Sequence, residues 1–293
     1  MSTPVRRVRQ DRRIPGWAAL LLARLAQDRP PVVTRADIER YLADVGSDRN
    51  VDTTVRELVR LGWLVSSHLQ GVWAYVPLGE SDFYDPYIDL FSWRARDPKA
   101  VFALAGEAAA WHMGYLDRRF DGAIAIWLPG LLRPPHGLRR FISVVRLGWG
   151  KDIVSRLGPS PALLRRRQLD LTSWSSGLPT FGPEALVVQL AARPSSFRPW
   201  GDLVAHLDHL ATDCEPEKLL ELLKNQSLSA WQRAAYLLHR GGSIEHAKEI
   251  MQHRPTARMP HVTLGDGPAG QFSSEFCLTD RLIAPLQGRM GKA

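Results

Sequence analysis

The sequence predicts a mixed α/β protein with two domains, and three observations support this prediction. The chain has 293 residues, of which 45% are hydrophobic and 23% charged, as is ordinary for globular domains. Near the N-terminus, apolar positions at helical spacing are followed by two short β-favouring runs. Farther along, helical and strand patterns are mixed, which is typical of an α+β or α/β domain.

Charge and cysteine content limit the possible partners and the compartment. The formal net charge is +8, from 38 lysines and arginines against 30 aspartates and glutamates, which favours a polyanionic partner or a basic exposed surface. The two cysteines, Cys214 and Cys277, are expected to be free thiols, because no signal peptide is recognisable. No stretch approaches the roughly 20 apolar residues of a membrane-spanning helix. We therefore expect a cytoplasmic protein with no membrane partner.

Residues 1–13 predict a basic, flexible arm. They contain five arginines and one acid, Asp11, so the segment is too charged to bury. We expect it to be mobile until it meets an anion, and its arginines are candidate contacts to nucleic acid. They are Arg6, Arg7, Arg9, Arg12 and Arg13.

Two helices open a domain that spans residues 14–80. Helical spacing of apolar residues predicts the first helix over residues 14–26. After a proline-containing break, Thr34 is an N-cap, with Asp37 three residues later in place of the glutamate of a capping box. The second helix is expected to end at Gly46, because glycine is favoured just beyond a helix C-terminus.

The third helix has one apolar side and one side suited to binding nucleic acid. Ser47 or Asp48 can cap it, and Gly62 ends it. Its core side consists of Val51, Val55 and Leu58. Its other side presents three guanidinium groups and a hydroxyl group, and Asn50 lies beside them. The groups belong to Arg49, Thr53, Arg56 and Arg60. These residue types bind phosphates and base edges. The alternative is that this side is an ordinary solvated helix face, and the presence of Asp52 and Glu57 on the same helix favours that alternative.

Two β-favouring runs after the third helix predict a hairpin. They cover residues 63–65 and 72–76, with the turn Gln70-Gly71 between them. Three helices followed by a hairpin form a winged helix-turn-helix. In that arrangement the third helix enters the major groove of DNA, and the hairpin tip, residues 68–71, reaches a neighbouring backbone or the minor groove.

A second domain is expected over residues 85–254, with an α+β fold. An alanine-rich segment, 100–115, predicts a buried helix. Strands are predicted over 123–128 and 141–148, and further helices over 183–192, 200–212, 215–225 and 230–240. Residues 255–293 are expected to form a loop-rich C-terminal tail, with one possible strand at Val262–Leu264.

Residues 133–167 form a second basic region. Nine basic residues and one acid, Asp152, lie in this stretch. Two interpretations are open: a second surface for nucleic acid or an acidic protein, and arginines scattered over several faces. The candidates for such a surface are Arg139, Arg140, Arg165, Arg166 and Arg167.

No motif predicts a catalytic, metal or cofactor site. His206, His209 and Cys214 lie close together in the sequence, but an exposed amphipathic helix accounts for them without zinc. The chain has no P-loop, no nucleophile elbow and no paired-carboxylate motif. We therefore expect no cofactor and no enzyme activity. The alternatives are a nucleic-acid-processing enzyme whose catalytic residues converge from distant positions, and a transcription-linked adaptor.

Four segments, in this order, resemble the AbiEi-type antitoxins, in particular their mycobacterial branch. They are LVRLGWLVSSHLQGVWAYV in the first domain, GEAAAWHMGYL at 106–116, FGPEALVVQL at 181–190 and AWQRAAYLLHRGG at 230–242. The resemblance covers most of the chain. It implies a type IV antitoxin that counteracts an AbiEii-type nucleotidyltransferase toxin, with or without a stable complex, and that represses its own operon at promoter repeats.

The same resemblance implies which residues contact DNA. The third helix and the hairpin tip would read the operator, and the start of the second helix would bind a phosphate. The implied residues are Arg49, Asn50, Thr53, Arg56, Arg60, His68, Gln70, Thr34 and Arg35.

Overall fold

The computed structural model describes residues 6–7, 12–79, 82–83, 86–118, 121–158 and 178–290. The chain forms two compact units. Unit 1 comprises Met1–Ala100 and Pro134–Arg140, and unit 2 comprises Val101–Arg133 and Phe141–Ala293. Both units contain helices and sheets, which confirms the predicted mixed α/β class.

Unit 1 combines helices with short strands. Its helices are α1 (Ala19–Asp28), which follows a 3-10 turn (Gly16–Ala18), α2 (Arg35–Asp44), α3 (Val51–Arg60) and α4 (Ile88–Arg96). Its strands are β1 (Arg6–Arg7), β2 (Val32–Thr34), β3 (Leu64–Ser66), β4 (Val72–Tyr75) and β5 (Asp82–Phe83). Strands β2, β4 and β3 form an antiparallel sheet in that order, and β1 pairs antiparallel with β5. Three helices followed by the β3–β4 hairpin is the order that the sequence predicts.

The core of unit 1 gathers side chains from its first three helices and its three-stranded sheet. Leu21 of α1, Ile38 of α2 and Leu58 of α3 are fully buried, and Trp63 joins them just before the hairpin. Each such burial stabilises the fold by about 1.5–3 kcal/mol. This shared core explains the helical spacing of apolar residues in the sequence.

Local signals fix both ends of α2. The Thr34 side chain accepts a hydrogen bond from the Asp37 amide, and the Asp37 side chain accepts one from the Thr34 amide, which confirms the predicted capping box. Gly46 follows the helix with a φ of +65°, a conformation that glycine adopts without steric cost. The sequence does not predict strand β2, because three residues carry too little periodicity.

The start of α3 differs from the prediction. Asn50 is the N-cap, because its side chain accepts a hydrogen bond from the Thr53 amide, whereas Ser47 and Asp48 precede the helix. Asparagine caps a helix as well as serine or aspartate does, so composition alone does not choose among the three positions. The end of α3 is as predicted, with Gly62 in the left-handed region at a φ of +79°.

Helix α4 corrects the predicted domain boundary. A second domain is predicted from residue 85, but α4 packs against β2 and β4 and therefore belongs to unit 1. Residues 134–140 belong to unit 1 as well. Sequence periodicity shows that a helix has an apolar side, but it does not show which domain covers that side.

Unit 2 contains more helices and two small sheets. Its helices are α5 (Gly106–His112), α6 (Val154–Leu157), α7 (Pro183–Ala192), α8 (Trp200–Val204), α9 (Leu207–Asp213), α10 (Pro216–Leu223), α11 (Leu228–Arg240), α12 (Ile244–His253) and α13 (Ile283–Met290). Its strands are β6 (Ala103–Leu104), β7 (Ile124–Trp127), β8 (Ile142–Val145), β9 (Val262–Leu264), β10 (Gln271–Ser273) and β11 (Leu278–Asp280). The sheet orders are β6-β7-β8 and β10-β11-β9, each with one antiparallel and one parallel pair.

Several predicted elements of unit 2 are confirmed and three are wrong. Strands β7, β8 and β9 and helix α7 lie where the sequence predicts them. The predicted helix 100–115 is instead strand β6 followed by α5, with Gly106 at a φ of +51° between them. The predicted helix 200–212 is divided into α8 and α9, and the predicted loop-rich tail contains β10, β11 and α13 in addition to the expected strand β9.

Three of the four segments that resemble the antitoxin family contribute to the core of unit 2, and the first lies in unit 1. Helix α7 packs against both α5 and α11. Ala109 of α5, Leu186 of α7 and Ala235 of α11 are fully buried. The resemblance in this unit therefore depends on residues that pack rather than on exposed residues.

Among the described residues, no helix is both long enough and apolar enough to cross a membrane.

Candidate nucleic-acid interface

Helix α3 has buried residues on one side and two exposed arginines on another. Thr54, Val55 and Leu58 are buried, whereas Arg56 and Arg60 are exposed. The Arg56 guanidinium lies along its own helix, with Nη2 3.3 Å from the Thr53 hydroxyl oxygen. A guanidinium group has five N–H donors, so such a contact leaves donors able to bind a ligand. Arg56 and Arg60 are therefore exposed on α3, as the sequence predicts.

Arg49 does not belong to that exposed side. Its Nη2 lies 3.0 Å from a carboxylate oxygen of Glu57, and its guanidinium stacks 3.9 Å from the centre of the Trp17 ring. Only 32% of its side chain is exposed. Arg49 precedes the N-cap Asn50, so the helical spacing that predicted it on the exposed side of α3 does not apply to it. Its predicted position beside Arg56 is therefore wrong.

Thr34 and Arg35, at the start of α2, are engaged within the protein. The Thr34 hydroxyl lies 2.7 Å from an Asp37 carboxylate oxygen and forms part of the capping box. Arg35 Nε lies 3.1 Å from an oxygen of Asp52, the first-turn acid of α3. The hydrogen bond to Asp52 is the main reason that the pKa of Arg35 is raised. Arg35 therefore links α2 to α3 while it remains exposed.

The hairpin tip presents Gln70 rather than His68. Gln70 is exposed, and Gly71 beside it has a φ of +81°. His68 Nδ1 lies 2.7 Å from an Asp89 carboxylate oxygen, and the His68 amide donates to the other oxygen at 3.2 Å. The His68 side chain is 24% exposed. The sequence does not predict this anchor, because Asp89 belongs to α4, which the predicted boundary assigns to the other domain.

A cleft of about 360 Å³ lies between the start of α2, the hairpin turn and the end of α4. Arg35 and Arg96 both line it, together with Gln70. Arg96 is exposed and is not among the candidates from the sequence. The sequence did not indicate Arg96, because it lies on α4, which the predicted boundary assigned to the other domain. The cleft brings two guanidinium groups and an amide together at the edge of the hairpin.

Part of the predicted flexible arm is anchored on unit 1. Arg6–Arg7 form β1 and pair with β5, and Arg9 lies outside the described residues. Arg12 donates to the carbonyl oxygens of Val76 at 2.8 Å and Pro77 at 2.7 Å, and its guanidinium lies 4.7 Å from the centre of the Trp63 ring. The interpretation of Arg12 as a mobile contact to an anion is therefore wrong.

Arg12→Ala is expected to lower the free energy of unfolding by about 2 kcal/mol, because it removes charged hydrogen bonds to two carbonyl groups and a contact with Trp63. Urea denaturation measures this loss. Arg13→Ala is the matched control, since the neighbouring side chain is exposed and its removal should cost little. Equal stability of the two variants would contradict the anchoring role of Arg12.

The described basic residues of the region 133–167 are divided between the two units, and two of them have partners within unit 2. Arg139 and Arg140 are exposed and belong to unit 1. Arg146 donates to the Gly130 carbonyl oxygen at 2.7 Å within unit 2, and Arg156 forms an ion pair with Glu221. Arg165, Arg166 and Arg167 lie outside the described residues. Of the proposed second surface, only the pair Arg139 and Arg140 can be located.

The histidines near Cys214 have contacts within the protein. His206 Nε2 lies 3.1 Å from an Asp117 carboxylate oxygen, and His209 Nε2 lies 3.7 Å from one of Asp208. Cys214 is buried, and burial raises the pKa of its thiol well above the ordinary value. Within the described ranges, no group of three or more histidine, cysteine, aspartate or glutamate residues is placed to hold a metal ion.

These features define a class of two-domain protein in which a small unit of four helices and short antiparallel strands is joined to a larger unit of helices and mixed sheets. Comparison with protein families identifies the larger unit: residues 100–240 match the family described as the AbiEi antitoxin C-terminal domain. The match begins at the boundary between the two units. The comparison with curated proteins gives no match.

A solved structure extends the likeness to the whole chain. The RV2827C protein from Mycobacterium tuberculosis is 47% identical, with a TM-score of 0.86, and the alignment covers 99% of this chain and 100% of that one. The chain therefore belongs to the AbiEi antitoxin family, as the resemblance in the sequence implies. Membership supports a role as the antitoxin of a toxin–antitoxin system.

Proposed function

We propose that this protein is a cytoplasmic DNA-binding antitoxin of a type IV toxin–antitoxin system. Unit 1 acts as a winged helix-turn-helix that binds repeats in the promoter of its own operon and represses it. Unit 2 counteracts a nucleotidyltransferase toxin, with or without a stable complex. The protein catalyses no reaction of its own.

The arrangement of α3 carries the DNA-binding part of this proposal. Its buried residues fix the helix on the core of unit 1, so Arg56 and Arg60 are held on the outside of a rigid element. Arginine is the side chain that most often reads guanine in the major groove, where it donates two hydrogen bonds. Thr53, half-exposed beside Arg56, supplies a hydroxyl group. The exposed Gln70 adds a polar contact from the hairpin.

The first test compares two DNA duplexes of equal length by fluorescence anisotropy across a salt series. One contains the sequence upstream of the gene, and the other is a scrambled version. Tighter binding to the upstream duplex that persists at moderate salt supports specific recognition. Equal and steeply salt-dependent binding to both would overturn the proposal, because it would reflect phosphate attraction alone.

Arg56→Ala is expected to weaken binding to the upstream duplex by about 1–3 kcal/mol and to weaken binding to scrambled DNA much less, since it removes a base contact. Arg24→Ala is the matched control: Arg24 is also an exposed helical arginine of unit 1, but it lies on α1. Equal losses on both duplexes for Arg56→Ala would contradict base reading.

Toxin neutralisation is tested separately, by growth of cells that express the toxin with or without the antitoxin. Arg56→Ala should still rescue growth when expressed from an unrelated promoter, because the family match that supports the antitoxin role covers residues 100–240. Loss of rescue by this variant, with its stability unchanged, would overturn the assignment of neutralisation to unit 2.

A further inference from the structure

We propose that residues 134–140 extend the DNA-binding surface of unit 1, with Arg139 and Arg140 binding phosphates beside the hairpin tip. This inference rests on the proposed DNA-binding function and adds a segment that is distant in sequence from the winged helix. The segment is called the 134–140 insertion below.

The 134–140 insertion is built into unit 1 rather than lying loose on it. Leu138 is fully buried, and Pro134 is buried at the start of the segment. A 3-10 turn over His136–Leu138 places a hydrogen bond from the Leu138 amide to the Pro135 carbonyl oxygen at 2.9 Å. An anchored segment loses little conformational entropy when it binds a ligand, so its charges bind at lower cost.

The insertion meets the hairpin at Gly137. A Cβ atom at this position would lie 2.7 Å from the His68 carbonyl oxygen and 3.8 Å from a side-chain carbon of Leu69. The first distance is too short for any other residue, so the close approach depends on glycine. His68 and Leu69 directly precede the exposed turn residue Gln70, so the insertion contacts the part of the hairpin from which the turn projects.

The contact at Gly137 holds two arginines near the hairpin tip. Consecutive Cα atoms are 3.8 Å apart, so the Cα atoms of Arg139 and Arg140 lie within about 8 and 11 Å of that of Gly137. Both side chains are exposed, and Arg139 Nε lies 3.4 Å from the Pro134 carbonyl oxygen, which holds it against its own segment. No acid occurs between residues 134 and 140.

The guanidinium groups of Arg139 and Arg140 are suited to binding the phosphate backbone of double-stranded DNA. Phosphate contacts from arginine position a protein on the duplex without reading its sequence. The hairpin of unit 1 approaches the backbone in the proposed binding mode, and the insertion lies against that hairpin. An acidic protein could bind the same two exposed arginines, so the test separates the two partners.

The test uses the full chain and measures anisotropy with the upstream and scrambled duplexes across a salt series. Arg139→Ala/Arg140→Ala is expected to weaken binding to both duplexes alike, by about tenfold at moderate salt, and to reduce the slope of log affinity against log salt by about 1 to 2. Lys224→Ala/Arg258→Ala removes two exposed charges from unit 2, outside the basic region 133–167, and should change neither quantity.

Gly137→Ala provides a variant that keeps both charges but displaces the insertion. It is expected to reproduce the loss in part, with the thermal unfolding of the protein monitored as a check. Wild-type affinity and slope in the double arginine variant would overturn the inference and leave the proposed function standing. Failure of the wild type to prefer upstream DNA would overturn the proposed function alone, because phosphate contacts do not depend on sequence. Loss of toxin neutralisation in the double arginine variant, with its DNA binding unchanged, would overturn the inference and assign the arginines to a protein partner.

Discussion

Replacing Asp280 with alanine is expected to lower the free energy of unfolding by about 4 kcal/mol. Asp280 is fully buried at the end of β11. One carboxylate oxygen accepts hydrogen bonds from the Leu282 and Ile283 amides, each at 2.8 Å, and the other accepts from the Ala284 amide at 2.7 Å and the Tyr236 hydroxyl at 2.9 Å. Each donor that is left buried and unpaired costs about 1–3 kcal/mol.

Urea denaturation of the full chain measures this effect. Asp266→Ala is the matched control, because Asp266 is an exposed aspartate in the same C-terminal segment and its removal should be nearly neutral. Tyr236→Phe removes a single donor and should cost about 1 kcal/mol. A loss below 1 kcal/mol for Asp280→Ala would show that water or a rearranged loop satisfies the freed amides.

Asp280 also shows why the sequence did not predict the C-terminal segment. The prediction of a loop-rich tail rested on glycine, proline and polar residues, and Asp280 counted as one more polar residue. In the fold this carboxylate caps the start of α13 and ties it to α11 through Tyr236. The Tyr236 contact spans 44 residues, and no local pattern encodes such a separation.

Signals within one turn of helix were sufficient for much of unit 1. Thr34 with Asp37, and the glycines at positions 46 and 62, predict the ends of α2 and α3 correctly because a cap depends on neighbours a few residues away. The same reasoning failed for Arg49, which has helical spacing to Thr53 and Arg56 but lies before the N-cap residue Asn50 and therefore outside α3. It failed again for His68, whose partner Asp89 lies 21 residues away on another element.

Unit 2 contains an ion pair with a buried carboxylate, and its loss has the second largest expected effect. The Glu184 side chain is fully buried, and the Lys218 ammonium lies 3.3 Å from its carboxylate, with 23% of the Lys218 side chain exposed. The Glu215 amide donates to the other carboxylate oxygen at 3.1 Å. Burial, as the dominant cause, raises the pKa of Glu184 above its ordinary value of 4.5, while Lys218 acts in the opposite direction.

Lys218→Met is expected to destabilise the protein by about 3 kcal/mol at pH 8 and by much less near pH 5. Glu184 has a higher pKa in the folded than in the unfolded chain, so its contribution to stability is greatest at low pH and is lost as the pH rises through the folded pKa. Without Lys218 the folded pKa rises further, because burial is no longer opposed by the ammonium charge. The difference from the wild type therefore grows with pH.

Denaturation curves collected from pH 5 to pH 8 measure this difference. Lys224→Met removes an exposed lysine just beyond the same helix and should shift stability little at any pH. Glu184→Gln/Lys218→Met replaces the titrating carboxyl with an amide, so the pH dependence of the difference should disappear even if some stability is lost. A pH-independent loss in Lys218→Met would mean that the packing of the Lys218 side chain, rather than its charge, stabilises α7 against α10.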